Sequence, residues 1–307
     1  MNTPDELADT SCGFIALVGA PNAGKSTLLN SLVGTKVSIV THKAQTTRSQ
    51  VRGVLTLDSA QLVFVDTPGI FAPKRRLDRA MVESAWGGAG DADLVAFILD
   101  AERGITPDIE TLLEGLENIR QPKVLILNKI DAVKHESLLA LSQTLNERLR
   151  FEATFMLSAL KGHGVKDFID WCVKHIPPGP WHFPEDHLTD LTMAITAAEI
   201  TREKLFLRVH DEIPYNSTVE TESFKIQKDG SYKIDQVVYL ARESHKKIVL
   251  GAGGQTIKAI GAEARKELME MYEVPIHLFL FVKVREKWAE DPERYREMGL
   301  EFPSGKN

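Results

Sequence analysis

The segment Gly19–Ser26 constrains the fold more than any other part of the chain. It reads Gly-Ala-Pro-Asn-Ala-Gly-Lys-Ser, matches G-x-x-x-x-G-K-[ST], and lies between the apolar run Phe14–Gly19 and the helical stretch Lys25–Val33. Because successive backbone amides and a helix N-terminus face an anion in this arrangement, the segment predicts a site for nucleotide phosphates. We expect Lys25 to reach the β- and γ-phosphates and Ser26 to bind Mg²⁺. The residues expected to line this site are Gly19, Ala20, Pro21, Asn22, Ala23, Gly24, Lys25, Ser26 and Thr27.

Apolar runs and amphipathic stretches alternate along the first half of the chain. The runs with strand character are Phe14–Gly19, Gln61–Asp66, Leu94–Asp100, Lys123–Asn128 and Ala153–Leu157. The helical stretches between them include Lys25–Val33, Asp108–Asn118 and Ser137–Leu149. Short, continuous apolar strands separated by helices are typical of a mostly parallel sheet with helices on both faces. The pattern therefore predicts an α/β domain over residues 13–176, with its ligand beyond the carboxyl ends of the strands.

A second motif, Asp66-Thr67-Pro68-Gly69, ends the apolar strand that begins at Gln61. We expect the Asp66 carboxylate to hold Mg²⁺ through the water molecules around the ion. The Gly69 amide can donate to the γ-phosphate, and a glycine is free to change φ when that phosphate leaves. The motif therefore predicts a loop that responds to hydrolysis of a triphosphate.

A third motif, Asn128–Asp131, reads Asn-Lys-Ile-Asp, follows the strand Lys123–Leu127, and indicates guanine as the base. The Asp131 carboxylate can accept hydrogen bonds from guanine N1–H and from the exocyclic amine, whereas adenine offers no matching pair of donors. We expect Asn128 to tie this loop to the phosphate-binding loop and Lys129 to stack its aliphatic stem on the base. The order of the three motifs, each at a strand end, predicts a guanine nucleotide site.

Two further segments complete the predicted site. The residues that end the next strand and are expected to contact the base are Ser158, Ala159 and Leu160. The Ala159 amide can donate to guanine O6. Between the first two motifs lies the polar segment Thr41–Gln50, in which a threonine can complete the Mg²⁺ shell when the γ-phosphate is present. Thr47 is the preferred ligand, and Thr46 is the alternative.

A proline-rich stretch at residues 177–190 separates this domain from a different pattern of elements at 191–307. Because proline fixes φ and lacks an amide donor, the stretch is predicted to be a stiff linker. Residues 1–12 are acidic and polar and are predicted to form a flexible tail. The elements predicted beyond the linker are a helix at Leu191–Leu205, strands at Ser217–Gln227 and Tyr232–Ala241, a turn at Gly251–Gly254, a helix at Gln255–Met271 and a strand at Pro275–Arg285.

The turn Gly251–Gly254 fits the G-x-x-G loop with which KH domains clamp the backbone of about four nucleotides. The order of the surrounding elements predicts an α+β type II KH domain. Because the net charge of the chain is -6, RNA must bind at a local basic patch. The pair Ala252-Gly253 lacks the basic residue usual in such loops, which predicts a weak salt dependence. The residues predicted to contact RNA are Arg242, Lys246, Lys247, Ile248, Gly251, Ala252, Gly253, Gly254, Lys258 and Arg265.

The signatures in the first half, taken in order, resemble the translation-factor-like branch of GTPases. The runs Gly-x-Pro-Asn-x-Gly-Lys-Ser-Thr-Leu-Leu-Asn, Lys-Ala-Gln-Thr-Thr-Arg and Asp-Thr-Pro-Gly-Ile are similar to the Era family of bacterial ribosome-assembly GTPases, within the TrmE-Era-EngA-like group. In the second half, Ala241–Gly251, Ile257–Gly261 and Ala264-Arg265 resemble the KH domain of that family. The resemblance covers almost the whole chain apart from the N-terminal tail.

This resemblance implies a Mg²⁺-dependent, cytoplasmic GTPase that converts GTP to GDP and phosphate. It also implies a monomer that binds the 3′ end of 16S ribosomal RNA and the 30S subunit during its maturation. The residues expected to act in hydrolysis are Lys25, Thr47 and Gly69. Ile70 stands where Ras-like enzymes carry the glutamine that orients water, so intrinsic hydrolysis should be slow. Asn22 resembles an asparagine that binds K⁺ in related GTPases, which makes K⁺ a candidate second cation.

Two alternative functions stay open at this point. A tRNA-modifying GTPase shares the asparagine in the phosphate-binding loop and the Thr-Thr-Arg element, but that group has a catalytic cysteine near its end, and no cysteine follows Cys172. The second alternative is a membrane-associated cell-cycle GTPase. We find no segment amphipathic and basic enough for a stable anchor, although weak peripheral contact with the inner membrane stays open.

Overall fold

The computed structural model describes residues 10–43, 45–286 and 288–303, and the chain divides into two compact units. The first unit contains the described residues up to Ser38, the range Thr47–Asp190 and residues 298–303. The second contains Ile39–Thr46 and Leu191–Glu297. Residues 1–9 of the predicted tail and 304–307 lie outside the described residues, and a strand begins at Ser11. Residues 177–190, predicted as a linker, cluster with the first unit, as do residues 298–303.

A sheet built mainly from parallel strands forms the centre of the first unit. Its described strands are β1 (Ser11–Val18), β2 (Val51–Leu57), β3 (Ala60–Asp66), β4 (Leu94–Asp100), β5 (Lys123–Asn128) and β6 (Ala153–Met156). Their spatial order is β2-β3-β1-β4-β5-β6, with β2 antiparallel to β3 and the other neighbours parallel. The helices of this unit are α1 (Lys25–Val33), α2 (Arg76–Asp91), α3 (Pro107–Glu117), α4 (His135–Arg148) and α5 (Val165–His175). The predicted α/β class is confirmed.

The edge strand β2 was not predicted, and its sequence explains why. Val-Arg-Gly-Val-Leu-Thr-Leu mixes polar and apolar residues without a strict alternation, and it contains a glycine, which is unfavourable inside a strand. Gly53 has a packing role, because a Cβ there would lie 2.6 Å from Leu29 Cδ1 and 2.7 Å from Val33 Cγ2. Helix α1 can therefore lie close to this strand only where the side chain is missing.

The second unit is a three-stranded sheet with helices packed against it. Its described elements are α6 (Met193–Arg208), β7 (Ser217–Ile226), β8 (Tyr232–Leu240), α7 (Glu243–Leu250), α8 (Gln255–Tyr272), β9 (Ile276–Val284) and α9 (Pro292–Glu297). Strand β8 is central, antiparallel to β7 and parallel to β9. This order of elements agrees with the predicted KH fold. The short helix α7 was not predicted, because eight residues between a strand and a glycine turn give too little periodicity.

Among the described residues, no helix is both long enough and apolar enough to cross a membrane.

Ile70, which follows the Asp-Thr-Pro-Gly motif, is a core residue of the first unit. It is 7% exposed and belongs to the buried cluster that includes Ala85 and Ala89 of α2. Truncation of such a side chain removes apolar burial and leaves a cavity. We therefore expect Ile70→Ala to lower the free energy of unfolding by about 2–4 kcal/mol. The control, Leu139→Ala at a side chain that is 67% exposed, should change it by less than about 0.5 kcal/mol. Urea denaturation of both variants measures the difference, and equal values would contradict the assignment of Ile70 to the core.

Candidate functional site

The phosphate-binding loop adopts backbone conformations that its sequence allows. Asn22 has φ 64° and Gly24 has φ 98°, so the chain turns in the left-handed region just before α1 begins at Lys25. Two glycines are also required by close packing. A Cβ at Gly24 would lie 2.2 Å from Asn128 Nδ2, and one at Gly19 would lie 2.4 Å from the carbonyl oxygen of Ile98. The loop therefore fits closely against the ends of β4 and β5.

Lys25 lies at the first position of α1 with its ammonium inside the loop. Its Nζ donates to the carbonyl oxygens of Gly19 at 3.1 Å and Ala20 at 3.0 Å, and the residue is 6% exposed. Burial lowers the pKa of Lys25 to about 8, while the nearby carboxylate of Asp66 acts in the opposite direction. A partly desolvated ammonium held in this way is suited to bind anionic phosphate oxygens.

Three hydroxyl groups converge on one carboxylate oxygen at the end of β3. Asp66 Oδ2 accepts from Ser26 Oγ at 2.6 Å, from Ser38 Oγ at 3.0 Å and from Thr47 Oγ1 at 3.2 Å. Ser26 Oγ and Thr47 Oγ1 also lie 2.9 Å apart. The predicted Mg²⁺ residues Ser26, Thr47 and Asp66 are thus brought together. Ser38 was missed because a lone serine outside any motif carries no sequence signal.

The same cluster shows whether a divalent cation fits here. Burial raises the pKa of Asp66, and Lys25 and the three hydroxyls act against that rise. The second oxygen, Oδ1, is buried and has no hydrogen-bond partner among the described residues. A buried carboxylate oxygen without a donor is costly, and oxygen ligands of this type are those that Mg²⁺ prefers. The donor set therefore fits Mg²⁺, with Ser26, Thr47 and Asp66 as the residues that would hold it.

The two candidate threonines point to different partners. Thr47 Oγ1 faces the Asp66 cluster described above. Thr46 Oγ1 lies 2.7 Å from Thr41 Oγ1 and donates to the carbonyl oxygen of Lys43 at 2.8 Å, so it closes a local turn. This geometry favours Thr47 over Thr46 as the metal ligand.

The loop Asp66–Gly69 packs directly on the phosphate-binding loop. Thr67 Oγ1 donates to the carbonyl oxygen of Leu17 at 2.7 Å, and the Ile70 amide donates to that of Gly19 at 3.1 Å. A Cβ at Gly69 would lie 2.8 Å from the backbone nitrogen of Pro21. Gly69 is therefore needed where the two loops meet.

Asn128 cross-links the loops at the ends of β1, β5 and β6. Its Nδ2 donates to the carbonyl oxygen of Ala23 at 2.8 Å, and its Oδ1 accepts from the Ala159 amide at 3.0 Å. The expected tie between Asn128 and the phosphate-binding loop is present in the structure. The second contact was not expected. Because the Ala159 amide already donates to Asn128 Oδ1, it could donate to guanine O6 only by sharing or breaking that hydrogen bond.

Two further residues that are predicted to recognise the base, Lys129 and Asp131, follow Asn128 in the chain. Lys129 adopts φ 64°, and its Nζ forms a 2.6 Å ion pair with Asp100, which ends β4. Asp131 is exposed, and a hydrogen bond from Ser158 is the main cause that lowers the pKa of its carboxyl. An ionised carboxylate facing outward beside Ser158 is suited to accept from a base. Asp100 was missed because its function depends on a contact between two strand ends.

The Gly-rich turn of the second unit has the conformation expected of a backbone-binding loop. Gly251, Gly253 and Gly254 all have positive φ, at 71°, 57° and 77°. A Cβ at Gly251 would lie 2.2 Å from Thr256 Oγ1, whereas a Cβ at Gly253 would meet nothing within 4 Å. The loop is thus closed on the side of α8 and open at Gly253, where a ligand backbone can approach.

The side chains around this turn form a mixed basic and apolar surface. The basic residues Arg242, Lys247, Lys258 and Arg265 are exposed, and Lys246 is half-buried beside Glu243 with 3.6 Å between Nζ and Oε1. Ile248 is 55% exposed, while Ile257 packs against the core of this unit. Ile248 is therefore a large apolar side chain of this surface that solvent reaches.

Comparison with protein families gives two matches. Residues 14–129 match the family described as 50S ribosome-binding GTPase, and residues 212–289 match the KH domain family. The chain is 62% identical over 298 residues to the GTPase Era of Mesorhizobium japonicum, covering 97% of this chain and 96% of that protein. It is 60% identical over 299 residues to the GTPase Era of Brucella suis, and the match covers 97% of this chain and 96% of that protein.

Two solved structures resemble the chain over nearly its whole length. One is Era in complex with MgGDPNP and nucleotides 1506–1542 of 16S ribosomal RNA, with a TM-score of 0.90, 37% identity, and coverage of 94% of this chain and 99% of that one. The other is a variant of Aquifex aeolicus Era bound to GDP.AlF4-, with a TM-score of 0.89 and the same identity and coverage. The identity to the full-length relatives, together with the nucleotide-binding geometry and the KH fold, shows that this chain belongs to the Era family of GTPases.

Proposed function

We propose that this chain is a GTP-hydrolysing switch that binds the 3′ end of 16S ribosomal RNA. In this proposal the GTP-bound protein holds the RNA within a maturing 30S subunit and releases it after hydrolysis. It works as a cytoplasmic monomer. The observation that carries the proposal is the convergence of Ser26 and Thr47 on Asp66, beside Lys25. The relatedness to an Era bound to MgGDPNP and 16S ribosomal RNA supports the choice of ligands.

The residues of the first unit divide the work on the nucleotide. Lys25 and the loop amides bind the phosphates, and Asp66, Ser26 and Thr47 hold the metal. Bound Mg²⁺ would neutralise charge on the phosphate oxygens. The Gly69 amide donates to the γ-phosphate. The side chain of Ile70 is buried in the core, so it cannot orient the attacking water, and we propose slow intrinsic turnover.

The second unit supplies the RNA site in this proposal. The open turn at Gly253 lets the RNA backbone approach, the N-terminus of α8 faces its phosphates, and Ile248 contacts bases. Lys247 and Lys258 are exposed on either side of the turn and would add phosphate contacts. A surface that combines backbone contacts with an apolar side chain is suited to bind single-stranded RNA. We propose that this RNA is the 3′ end of a ribosomal RNA.

Asp131 provides the test of base selectivity. Asp131→Asn should weaken GTP binding by about 100-fold, because the guanine amine loses its acceptor. The same variant should bind xanthosine triphosphate better than GTP, since the asparagine amide can donate to the C2 carbonyl of xanthine. Asp58→Asn is the control, because Asp58 lies in the turn between β2 and β3 with φ 47°, which asparagine also adopts. Nucleotide competition measures both, and retained GTP preference in Asp131→Asn would contradict the assignment.

Gly253 provides the test of RNA binding. Gly253→Asp places a negative charge where phosphates should lie and should lower RNA affinity by at least about tenfold. Gly253→Asn is a matched control, because asparagine has the same size as aspartate, tolerates the same positive φ and carries no charge. It should retain more binding than the aspartate variant. Fluorescence anisotropy with an RNA of 16S nucleotides 1506–1542 measures both, and GTP hydrolysis should be unchanged. Equal affinity of the two variants would move the site elsewhere.

We also propose that Asn22 contributes its side-chain oxygen to a K⁺ ion beside the phosphates. A carbonyl oxygen is a hard ligand of the kind that such cations accept. GTP hydrolysis should therefore be faster in KCl than in NaCl at the same ionic strength, and Asn22→Ala should reduce this difference. Phosphate release in the two salts measures the effect. Equal rates for the unmodified protein would remove K⁺ from the account.

A further inference from the structure

One face of the three-stranded sheet in the second unit carries aromatic side chains that solvent reaches. Successive strand residues point to opposite faces, and Leu278 and Leu280 of β9 pack against the buried clusters that the sheet forms with α6 and α8. Phe279 and Phe281 therefore lie on the other face, where they are 47% and 51% exposed. Two neighbouring phenylalanines that are half in water on one face of a sheet indicate a binding surface.

Basic residues lie beside these rings on the same face. The strand register places Lys233 of β8 between Lys225 of β7 and His277 of β9, two residues before the position of Phe279. Lys228 lies in the turn that joins β7 to β8. Lys228, Lys233, His277 and Phe279 line one open pocket. We call the following set the open-face patch: Lys225, Lys228, Lys233, His277, Phe279 and Phe281.

Two carboxylates adjoin the open-face patch, and both are engaged locally. Asp235 Oδ2 lies 3.5 Å from Lys233 Nζ, and that ammonium lies 5.5 Å from the ring centroid of Phe279. Asp229 Oδ1 accepts from the amide of Ser231 at 3.0 Å and from its hydroxyl at 2.7 Å. The three lysines of the patch therefore leave a local excess of positive charge, although the chain as a whole carries a net charge of -6. Such a surface favours an anionic ligand.

The opposite end of this sheet face is occupied by contacts within the unit. Lys283 Nζ lies 2.9 Å from Glu222 Oε1. Arg294 of α9 pairs with Glu220, and its guanidinium lies 5.2 Å from the ring centroid of Tyr239. The surface that a ligand can use is therefore the end that carries the open-face patch.

We propose that the open-face patch is a second binding site for single-stranded RNA in this unit. Bases stack on Phe279 and Phe281, and the lysines bind phosphates. Aromatic rings beside basic side chains hold single-stranded nucleic acids in this way, because every base has a face that can stack. A protein partner would favour a surface whose centre is depleted of charged residues, whereas here a lysine lies over one of the rings.

The open-face patch adjoins the RNA site proposed at the turn Gly251–Gly254. Strand β9 is at the edge of the sheet, and its Leu280 and Val282 pack against the cluster that contains Val249 of α7 and Ile260 of α8. The turn lies between those two helices. An RNA longer than about four nucleotides can therefore leave the turn, cross β9 and reach the patch. This inference rests on the proposed RNA-binding function and extends the length of RNA that the unit holds.

The test is fluorescence anisotropy of the full-length protein with two single-stranded segments from the 3′ end of 16S ribosomal RNA, one of about five and one of about twelve nucleotides. Phe279→Leu keeps an apolar side chain but removes the aromatic face, so it should weaken binding of the longer RNA about tenfold. Phe279→Tyr is the matched control, because it keeps a ring and should bind the longer RNA like the unmodified protein. Both variants should bind the shorter RNA unchanged.

The lysines are tested by the salt dependence of the same titration. Lys228→Gln combined with Lys233→Gln should weaken binding of the longer RNA and reduce the slope of log affinity against log salt concentration by about 1–2. Lys166→Gln is the control, since Lys166 is exposed on α5 and pairs with Asp170. It should change neither quantity. An unchanged slope in the double variant would refute the phosphate contacts.

The two RNA lengths separate failure of this inference from failure of the proposed function. If the unmodified protein binds neither RNA, the proposed function is wrong and the inference falls with it. If Phe279→Leu binds the longer RNA as tightly as the unmodified protein does, or weakens both RNAs equally, only the inference is overturned. Equal losses in Phe279→Leu and Phe279→Tyr would refute stacking. Should Phe279→Leu fail to fold by circular dichroism, Phe281→Leu carries the same expectation, and unchanged affinity for the longer RNA then refutes it.

Discussion

The buried carboxylate of Asp66 is the constraint on which the nucleotide-binding unit depends. It lies at the end of β3 with no exposed surface, so its ionised form is stable only where donors surround it. The donors come from the start of α1, from the residues after that helix and from the residues before β2, through Ser26, Ser38 and Thr47. Any shift among these segments would leave a desolvated charge without compensation. The cluster thus fixes the relative positions of the loops that are predicted to bind the phosphates.

A second set of contacts, made by Asn128, holds the loops on the side of the site that is predicted to bind the base. Asn128 connects the phosphate-binding loop with the Ala159 loop through one side-chain amide, using both its donor and its acceptor. Gly24 leaves the space in which that amide lies. The loop predicted to bind the phosphates and the loop predicted to bind the base are therefore joined directly within the unit.

Much of the fold and of the site could be predicted from sequence because the informative residues are local in the chain. The strands Leu94–Asp100 and Lys123–Asn128 were predicted with the bounds that the structure gives, since they are continuous apolar runs. The motifs follow strand ends, and parallel strands bring their ends to one edge of the sheet. In contrast, β2 depends on pairing with β3, and α7 is too short to show its period.

The residues that sequence reasoning missed act through contacts between distant positions. Ser38 and Asp100 are single polar residues whose partners are Asp66 and Lys129. Arg202 lies within a helical stretch where an arginine would ordinarily face solvent, and only the fold reveals that it binds the Thr46 carbonyl. Such roles leave no pattern at fixed spacing, so motif reading identifies the phosphate and base loops but not these long-range contacts.

The central claim is that loops at neighbouring strand ends hold one guanine nucleotide together with Mg²⁺. Isothermal titration calorimetry of the full-length protein with a non-hydrolysable GTP analogue tests it most directly. The account predicts one site per chain, an affinity that falls at least about tenfold when Mg²⁺ is chelated, and no measurable heat from the corresponding ATP analogue. Absence of heat from the GTP analogue on folded protein, or equal binding of the ATP analogue, would contradict it.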